Sequence, residues 1–576
     1  MTSSKFAQID PRVRPKSWVD PDPVPFDVEP LHDHKLAHAL LYRRGLRDRS
    51  SADAFLKSAV RETIDPTLLP DFERAVERVA LAVRNGETIG IFGDYDADGT
   101  TSVAILGMAL SAAGAGARTR YRLPTRAEGY GLNGGAIDEF LDAEVDLLIA
   151  LDCGSSDHGK VAYARALGMD VVILDHHQLP DRGPDDAIVV SAYRPDGGSY
   201  KELSAAGLTW LLVDALADKG LQVAPNGAGA DVYLDLAALG LIGDVSPMTG
   251  ASRTIARAGL RQLANAPRPG IAALANVAKV NLASLSTTDV SFRLTPRLNA
   301  AGRMGDPKLA LDLLLAPNPI VAHDLMLELE ALNTRRKLTT DAITLEAEQL
   351  LRQHPAWESQ PVLVVHSEGW QAGVLGIVAA RLAETYDRPA VVLVEEAGVL
   401  RGSMRAPDGF DVAGALANCA SLLRSHGGHR LAGGLSLDAG NAQELIGQLR
   451  ELASGRTPAS IPALQIDADL QEKHLNLEIA RLVRSLEPFG PGSEEPVFAL
   501  RNVRLQKYDT MGQTKDHLSL TFGSGRPVRA AFFNAAARSR ELVGVRSIDL
   551  AFTLTEGNWN GPKLDVLVKD FRVAQN

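Results

Sequence analysis

Between about residue 50 and residue 250, the chain alternates short apolar runs with Ala- and Leu-rich segments of helical pattern. Each run is short enough for one buried strand, and each following segment is long enough for one helix. This alternation is typical of an α/β domain in which crossover helices join the strands of a parallel sheet. The four runs occupy residues 88–92, 145–151, 170–174 and 187–190.

A long helix is predicted after this region. Between Pro319 and Pro355 there is no Gly or Pro, and apolar residues recur at near-helical spacing among Glu, Arg and Lys. The pattern indicates one continuous helix, or two helices broken near Thr339 and Thr340. A continuous helix would span about 50 Å at the standard rise per residue. Helices of that length usually bridge two bodies.

The rest of the chain shows two further sequence patterns. Apolar runs at 361–366 and 390–394 begin a second, smaller α/β unit, and residues 456–462 read as a linker. The last 80 residues contain about five short strands separated by Gly-containing turns, which favours a small OB-type barrel over another small β domain. The predicted barrel strands are 497–500, 517–521, 528–533, 550–554 and 564–568.

We therefore expect five segments along the chain. The first contains a Pro-rich stretch at 21–30, which predicts an extended arm. The segments are an N-terminal arm (1–50), a parallel-sheet domain (51–270), a helical connector (271–355), a smaller α/β domain (356–455) and an OB-type domain (456–576).

Composition and charge narrow the class of protein. With 576 residues, 45% of them hydrophobic, the chain has the composition of a folded globular protein. No window of 18 apolar residues or secretory signal is recognisable, and two cysteines, Cys153 and Cys419, cannot form a disulfide framework. A reducing cytoplasm is the expected location. The net charge of −11 argues against bulk coating of nucleic acid, but it fits a site built from carboxylates.

The strongest chemical signal follows the first apolar run. Asp94, Asp96 and Asp98 stand at alternating positions directly after it. Carboxylates this close repel one another unless a cation holds them. Ligands of open α/β sheets bind at the carboxyl ends of the strands. A metal site is therefore expected there.

Three other interpretations of this segment remain open. It could be a solvated acidic turn. It could be an EF-hand loop, although the twelfth position from Asp94 is Ile105 instead of Glu, and a strand precedes it. It could also be a phosphatase motif of Asp-x-Asp-Gly-Thr type beginning at Asp96, although Asp94 and Tyr95 then separate the nucleophile from the strand end.

The next two strands favour the metal site. The run 147–151 ends in Asp152, and the run 171–174 ends in Asp175, His176 and His177. One such strand end could be simple capping or core hydrogen bonding, but three in order at one sheet edge indicate a cluster. Asp and His ligands without thiolates favour Mn²⁺ or Mg²⁺ over structural zinc. Two such ions would suit hydrolysis of a phosphate ester.

These residues resemble the motifs of the DHH phosphoesterase superfamily. The matching segments are 94–99 (Asp-Tyr-Asp-Ala-Asp-Gly), 152–154 (Asp-Cys-Gly) and 175–177 (Asp-His-His). Residues 239–245 are similar to a fourth motif of that superfamily. Only this resemblance makes Asp244 a ligand, because on its own it is an ordinary polar residue near a helix end.

Further segments resemble the RecJ single-stranded-DNA exonucleases, in the expected order from about residue 50 to residue 572. They match a signature of that family, the associated DHHA1 domain and the entry to an OB domain. Gln371 and Ala372 replace a usual His-Pro pair, and Ser493 replaces a usual Asn. The segments are 296–304, 369–378, 402–405, 427–434 and 487–492.

The resemblance implies a metal-dependent exonuclease that degrades single-stranded DNA 5′ to 3′, releases 5′-mononucleotides and acts in DNA repair and recombination. His177, Asp175 and Arg303 would be catalytic, with Asp175 ligating or orienting and His177 binding phosphate or ligating. Two ions, Mn²⁺ or Mg²⁺, would be held by Asp94, Asp96, Asp98, Asp152, His176 and Asp244.

Phosphate and DNA contacts are expected in two further places. Gly427 and Gly428 allow backbone N–H groups to approach an anion closely, and arginines offer forked contacts to phosphate oxygens. A Gly-rich turn with solvated arginines, or structural salt bridges in the case of Arg297 and Arg303, are the competing interpretations. The predicted contacts are Arg297, Ser403, Arg405, Gly428 and His429.

Aromatic side chains make up 5% of the chain, so base stacking must rely on few positions. Phe489, Tyr508, Phe532, Phe533 and Trp559 belong to the barrel region, and OB-type barrels stack bases on aromatics. Phe532 and Phe533 are adjacent on a predicted strand and face opposite ways, so at least one should lie in the core.

Two alternative functions remain at this stage. One is a small-substrate enzyme of the superfamily, acting on short oligonucleotides or 3′-phosphoadenosine 5′-phosphate; the extra C-terminal barrel argues against it. The other is a non-catalytic scaffold; the complete set of acids argues against that. The family also implies single-strand-binding protein and a helicase as partners, no membrane is expected, and a monomer is the default.

Overall fold

The computed structural model describes residues 13–57, 59–179, 183–265, 267–354, 356–454, 463–557 and 563–574. By packing, the chain divides into two units. The central unit comprises Ser58–Leu338 with Pro488–Glu494, and the composite unit comprises Met1–Lys57, Thr339–Glu487 and Glu495–Asn576. The predicted five-segment division stays a prediction, and its linker at 456–462 lies outside the described residues.

The N-terminal part of the composite unit begins with a short strand and two helices. Between residues 21 and 30 the chain contains neither helix nor strand. The elements are β1 (Ser17–Val19), α1 (Lys35–Arg43) and α2 (Arg49–Lys57).

The central unit is built on a five-stranded parallel sheet in the order β3-β2-β4-β5-β6. The predicted parallel α/β domain is therefore confirmed. The edge strand β3 was missed because its sequence, Thr-Arg-Tyr-Arg, is polar and partly exposed. The strands are β2 (Ile89–Gly93), β3 (Thr119–Arg122), β4 (Leu147–Leu151), β5 (Asp170–Leu174) and β6 (Ile188–Val190).

Helices cover both faces of this sheet, which explains why its central strands are apolar throughout. One face packs against α6 and α7 through a cluster that includes Ile137, Phe140 and Val161. A larger cluster on the other face includes the apolar helices α5, α8 and α9. The helices are α3 (Val60–Thr63), α4 (Phe72–Asn85), α5 (Ala97–Ala112), α6 (Gly134–Asp142), α7 (His158–Ala166), α8 (Ala205–Asp218), α9 (Leu234–Gly243), α10 (Gly250–Asn265), α11 (Pro269–Val277), α12 (Thr287–Asp289), α13 (Thr295–Met304) and α14 (Lys308–Leu314).

The predicted long helix is continuous. Helix α15 (Pro319–Gln353) has 35 residues, or about 52 Å at the standard rise. No break occurs at Thr339 and Thr340, although the boundary between the two units falls there. The threonine hydroxyl groups do not interrupt the helix, because a Ser or Thr side chain can bond back to the preceding turn, as Thr344 Oγ1 does to Thr340 O.

The smaller α/β domain carries a mixed five-stranded sheet in the order β10-β11-β9-β8-β7. Strands β7 and β8 are parallel, and the others pair antiparallel. The elements are β7 (Leu363–Glu368), α16 (Leu375–Tyr386), β8 (Ala390–Glu396), β9 (Val399–Arg405), α17 (Val412–Asn418), β10 (Leu423–His429), β11 (Ala432–Asp438) and α18 (Ala442–Ser454).

The C-terminal domain is a closed five-stranded barrel, which confirms the OB-type prediction. Strands pair in the order β14-β15-β16-β18-β17, and β17 returns to β14. Strand β12 pairs with β1, so the N-terminal segment of the composite unit is joined to its C-terminal domain. The elements are β12 (Ala463–Gln465), β13 (Ala468–Asp469), α19 (Leu477–Ser485), β14 (Phe498–Met511), β15 (His517–Phe522), β16 (Val528–Phe532), β17 (Ser547–Gly557) and β18 (Lys563–Val573).

Strand β14 is longer than predicted. Its register shifts between Leu500 and Val503, and Asn502 has a φ of 49°, so the strand bends there and continues with exposed residues that lack an apolar pattern. Phe532 is buried and Phe533 is 53% exposed, which confirms that at least one of the two rings lies in the core. Trp559 lies outside the described residues. Both cysteines are buried free thiols, and no described helix is long and apolar enough to cross a membrane.

Candidate metal centre

The register of the parallel sheet brings the predicted acids to one edge. Gly93, Leu151 and Leu174, the last residues of β2, β4 and β5, are aligned partners. The residues that follow them are Asp94, Asp152 and Asp175. All three are buried. The acids therefore lie side by side at the carboxyl ends of neighbouring strands, where α/β sheets bind ligands.

The acidic segment after β2 turns directly into helix α5. Asp96 is the N-cap, and its carboxylate accepts hydrogen bonds from the backbone N–H groups of Asp98 (2.9 Å) and Gly99 (3.2 Å). A Cβ at Gly99 would lie 2.5 Å from the backbone N and O of Asp94, so only glycine fits there.

This geometry excludes the three alternative interpretations of the segment. Asp94 and Asp98 are buried, so the segment is not a solvated turn. Helix α5 begins at Ala97, inside what would be a 12-residue EF-hand loop. Strand β2 ends at Gly93, so Asp96 is a helix cap and not the strand-end residue that a phosphatase nucleophile requires.

Asp98 is fixed by the N-terminus of another helix. Its carboxylate accepts hydrogen bonds from Ser204 Oγ (2.6 Å), Ala205 N (2.8 Å) and Ala206 N (3.0 Å), all at the start of α8. The positive end of the helix dipole favours a carboxylate there. Asp98 therefore has a fixed orientation within the cluster.

His176 connects the acids of three elements. Its Nε2 lies 3.1 Å from Asp152 Oδ1 and 3.7 Å from Asp98 Oδ2, and its Nδ1 lies 3.8 Å from Asp244 Oδ2. Asp244 is the C-cap of α9 and accepts a hydrogen bond from Ser246 Oγ at 2.9 Å. The structure thus places Asp244 in the cluster.

Asp175 and His177 form a hydrogen-bonded pair beside the cluster. His177 Nδ1 lies 2.7 Å from Asp175 Oδ1. Asp175 also accepts bonds from the backbone N–H and the hydroxyl of Ser155. Against the opposing effect of burial, these bonds and the His177 charge hold the pKa of Asp175 well below its usual range. In turn Asp175 raises the pKa of His177 to about 9, although burial opposes it.

Burial disfavours the charged forms of four other carboxylates, Asp94, Asp98, Asp152 and Asp244. Burial, and then the nearby Asp96, raises the pKa of Asp94 to about 8. Burial raises the pKa of Asp244 to about 6, and the pKa values of Asp98 and Asp152 also rise, mainly because of burial. Among the described residues Asp94 Oδ1 is buried without a hydrogen-bond partner. A cation would relieve both the repulsion and the unsatisfied oxygen.

Two sets of ligand atoms fit a divalent cation. Asp94, Asp96 and Asp152 offer oxygens that all lie within 4.8 Å of one another, and Asp152, His176 and His177 offer a second such set. The sets share Asp152. Oxygen and imidazole donors without thiolate suit Mn²⁺ or Mg²⁺. The residues therefore fit the two ions that the sequence predicts.

Two predicted arginines have different environments. Burial, and then the Arg126 charge, lower the pKa of Arg303 to about 10, whereas the nearby Tyr95 and Asp96 act to raise it. Arg297 instead makes a 2.7 Å ion pair with Glu330 of α15. Arg303 is thus near the acidic loop, whereas the charge of Arg297 is engaged by a carboxylate, as the competing interpretation held. Its DNA contact stays a prediction.

A loop that borders the cluster was not predicted from the sequence. Arg126 lies over the Tyr95 ring, with 4.7 Å to its centroid. The hydroxyl of Tyr130 lies 3.0 Å from His177 Nδ1 and 3.1 Å from Asp152 O. The loop follows β3, so recognising that polar edge strand would have placed both residues at the same edge of the sheet.

The other predicted phosphate contacts lie together in the composite unit. Strand register places Ser403 opposite Gly434, and Arg405 opposite Ala432, which in turn pairs with His429. Gly428 is on the edge strand β10, not in a turn, and its φ of 145° favours glycine. A Cβ at Gly428 would also lie 2.2 Å from Ala432 O, so only glycine fits there. These four residues thus share one end of the sheet.

Gln371 and Ser493, which depart from the expected family motifs, both lie at or beside turns. Gln371 precedes the short turn that leads into α16, where a Cβ on Gly376 would lie 2.8 Å from Arg405 Nη2 and 3.3 Å from Ser403 Oγ. Ser493 is buried in the central unit and exchanges two backbone hydrogen bonds with Gly490. Ser493 thus closes a tight turn.

Three family profiles match this chain in the order that the sequence predicts. The DHH family, N-terminal domain, matches residues 88–241, the DHHA1 domain matches 359–455, and the RecJ OB domain matches 466–570. Together they cover the sheet of the central unit, the smaller α/β domain and the barrel.

Relatives and solved structures agree with these profiles. The single-stranded-DNA-specific exonuclease RecJ of Escherichia coli is 32% identical over 549 residues, 91% of this chain and 93% of that protein. RecJ of Bacillus subtilis is 31% identical, over 96% of this chain and 70% of its own length. The crystal structure of Thermus thermophilus RecJ with Mn²⁺ superposes with a TM-score of 0.81 at 28% identity, covering 97% of this chain and 80% of that one. A Mg²⁺ complex gives 0.76 at 26% identity, covering 97% and 79%. This chain belongs to the RecJ family of single-stranded-DNA-specific exonucleases.

Proposed function

We propose that this protein is a metal-dependent exonuclease that degrades single-stranded DNA from 5′ to 3′ and releases 5′-mononucleotides. The observation that carries the proposal is the pair of ligand sets sharing Asp152 at the sheet edge. The full-length similarity to RecJ exonucleases gives the substrate class. The polarity rests on the family resemblance.

The ions would be Mn²⁺ or Mg²⁺, as in the Thermus structures. When bound, two such ions supply an activated water and neutralise the charge on the phosphate oxygens. Asp94, Asp96, Asp152 and His176 belong to the two sets. Asp98 and Asp244 join the proposal through their contacts with His176, and His177, which also belongs to the second set, is kept for the phosphate. The ligands we propose are Asp94, Asp96, Asp98, Asp152, His176 and Asp244.

The chain's own residues orient the substrate. Asp175 fixes the His177 imidazole through the 2.7 Å hydrogen bond, so that His177 meets the phosphate in a defined orientation. Arg303 supplies positive charge beside the acidic loop. In the smaller α/β domain, the DNA strand would be held by Ser403, Arg405, Gly428 and His429. In the barrel, its bases would stack on exposed aromatic side chains such as Phe533.

We further propose that the enzyme works as a monomer in the cytoplasm, in DNA repair and recombination. Its two buried free cysteines suit a reducing compartment. The partners we propose from the family resemblance are a helicase that supplies single strands and a single-strand-binding protein that keeps them open.

The proposal is tested with 5′- and 3′-labelled single strands, a blunt duplex and a dinucleotide. Each is incubated with Mn²⁺, Mg²⁺ or chelator, using the wild type, Asp175→Ala, and Asp138→Asn as an exposed acidic control. We expect metal-dependent release of mononucleotides from the 5′ end of the long strand by the wild type and the control. Asp175→Ala should lose this activity.

Other outcomes would replace the proposal. Cleavage of the dinucleotide alone would move the protein to the small-substrate class. Release of mononucleotides from the 3′ end would overturn the polarity. Tight binding of single strands without cleavage under any metal would indicate a scaffold.

A further inference from the structure

The residue after Asp244 has an unfavourable backbone conformation. Helix α9 ends in a Schellman motif: the N–H of Val245 bonds to Ile242 O at 3.2 Å, and the N–H of Ser246 bonds to Leu241 O at 3.1 Å. The motif places Val245 at the C′ position with a φ of 62°. Glycine is strongly preferred there, and a β-branched residue in this conformation is an outlier.

The side chain of Val245 is mostly exposed, so its packing offsets little of this strain. It is 60% exposed. An exposed apolar side chain contributes little to stability, and glycine or asparagine would fit the backbone better. A strained residue with an exposed side chain points to a function for that side chain.

A second exposed apolar residue lies on the neighbouring element. Residues Val290–Leu294 form a π-helical turn, in which Val290 and Leu294 are buried but Phe292 is 76% exposed. Ser291 Oγ donates a 3.3 Å hydrogen bond to Ile242 O, which ties this turn to the end of α9. π-helical turns often occur at functional sites.

We propose that Val245 and Phe292 form an apolar platform for the base of the nucleotide whose phosphate is hydrolysed. The inference deepens the proposed function and rests on it, because that function places a phosphodiester at the acidic cluster. Val245 directly follows the cluster residue Asp244 at the end of α9, and the turn that carries Phe292 is bonded to that same helix end. An aromatic ring stacks on any base, which suits an exonuclease that must accept every sequence.

The platform is tested by removing the base and the ring separately. A 5′-phosphorylated single strand with a 3′ fluorescein label is compared with the same strand carrying abasic units at its first three positions. We expect the wild type to prefer the base-containing strand by about tenfold in kcat/KM, the scale of one stacked base. Phe292→Ala should reduce that preference to about one, and Phe26→Ala, which removes another exposed ring, should retain it.

The role of Val245 is tested by measuring the melting temperature of its variants together with their preference for the base-containing DNA strand. Val245→Gly and Val245→Asn should melt at or above the wild-type temperature, because they relieve the strained φ. Both should nevertheless weaken the preference for the base-containing strand. A melting temperature several degrees below the wild type would show that the Val245 side chain serves the fold and would overturn its role.

The remaining outcomes separate the platform from the proposed function. If Phe292→Ala lowers kcat/KM equally on both strands, or leaves the preference intact, the platform is wrong. If the wild type cleaves neither strand, the proposed exonuclease function fails. Fluorescence polarisation of the same two strands with the wild type and Phe292→Ala then decides the platform, because equilibrium binding needs no turnover.

Discussion

Asp152 occupies a position that is unfavourable for folding and central to the candidate metal site. It is buried with a φ of 66°, and its pKa is raised by burial first and then by the charges of Asp98, Asp96 and Asp94. Without a cation, its charged form is therefore less favourable in the folded protein than in the unfolded chain. The same position makes it the ligand common to both sets.

We expect Asp152→Asn to lose exonuclease activity by about 100-fold or more, since removing even an outer partner of a metal ligand costs 10- to 100-fold. In chelator, the same variant should melt at a higher temperature than the wild type, because a buried like charge is gone. Differential scanning fluorimetry with and without Mn²⁺ measures the second effect. A lower melting temperature in chelator would contradict this account of Asp152.

From the sequence, the residues that form the cluster were easier to predict than the role of each residue in it. Asp96 and Asp98 are equivalent in the sequence, yet one caps its own helix and the other accepts bonds from the start of α8. Asp244 was predicted through the family resemblance alone, and the fold places its carboxylate 3.8 Å from His176. Tyr130 was missed, because its contact with His177 joins residues 47 positions apart.

At the scale of elements, a single glycine controls how α5 meets β2. We expect Gly99→Ala to destabilise the protein by about 2 kcal/mol, since overpacking against unyielding backbone typically costs 1–3 kcal/mol, and to weaken Mn²⁺ binding by displacing Asp94. Gly159→Ala in α7 is the matched control, because its added Cβ meets nothing within 4 Å. Thermal melts and Mn²⁺ titrations should distinguish Gly99→Ala from Gly159→Ala. Equal melting temperatures and equal Mn²⁺ affinities of the two variants would refute the packing argument.

The buried carboxylate of Asp570 connects the barrel to the N-terminal segment. Asp570 binds Arg538 at 2.5 Å and also accepts hydrogen bonds from Trp18 Nε1 and Lys16 N. We expect Asp570→Ala to lower the free energy of unfolding by about 3 kcal/mol, because it breaks a buried ion pair. Glu541, which also pairs with Arg538 at 2.9 Å, keeps the loss at the lower end of the usual range. Asp509→Ala, which removes an exposed pair with Lys507, should change it by less than about 1 kcal/mol. Denaturant unfolding of both variants provides the comparison.

Element types were easier to predict than element lengths. Buried strands β2, β4, β5 and β6 were visible as apolar runs, since both faces of the sheet are covered. Edge strands β3 and β10 were not, because their polar or Gly-rich residues have no apolar periodicity. Strand β14 runs past a bend at Asn502 that only the pairing with β17 reveals.

At the scale of the whole molecule, all proposed ligands belong to the central unit. We therefore expect Mn²⁺ to stabilise only the unfolding transition of Ser58–Leu338, by about 2.7 kcal/mol at 100 times the dissociation constant. The composite unit should melt unchanged. Calorimetry with chelator and with Mn²⁺ measures both transitions, and Asp152→Asn serves as the control without a metal shift. An equal shift of both transitions would contradict the expectation that the two units unfold independently.

The sequence by itself determined the fold class, the long helix, the barrel and most of the metal-binding residue types. These properties are local, because apolar runs, helical spacing and acids at strand ends can each be recognised within a short segment of the chain. The tertiary structure decided which acids meet, that Asp98 is held by α8, that Arg297 pairs with Glu330, and that Val245 is strained and exposed. Those properties depend on contacts between residues far apart in the chain, which periodicity does not encode.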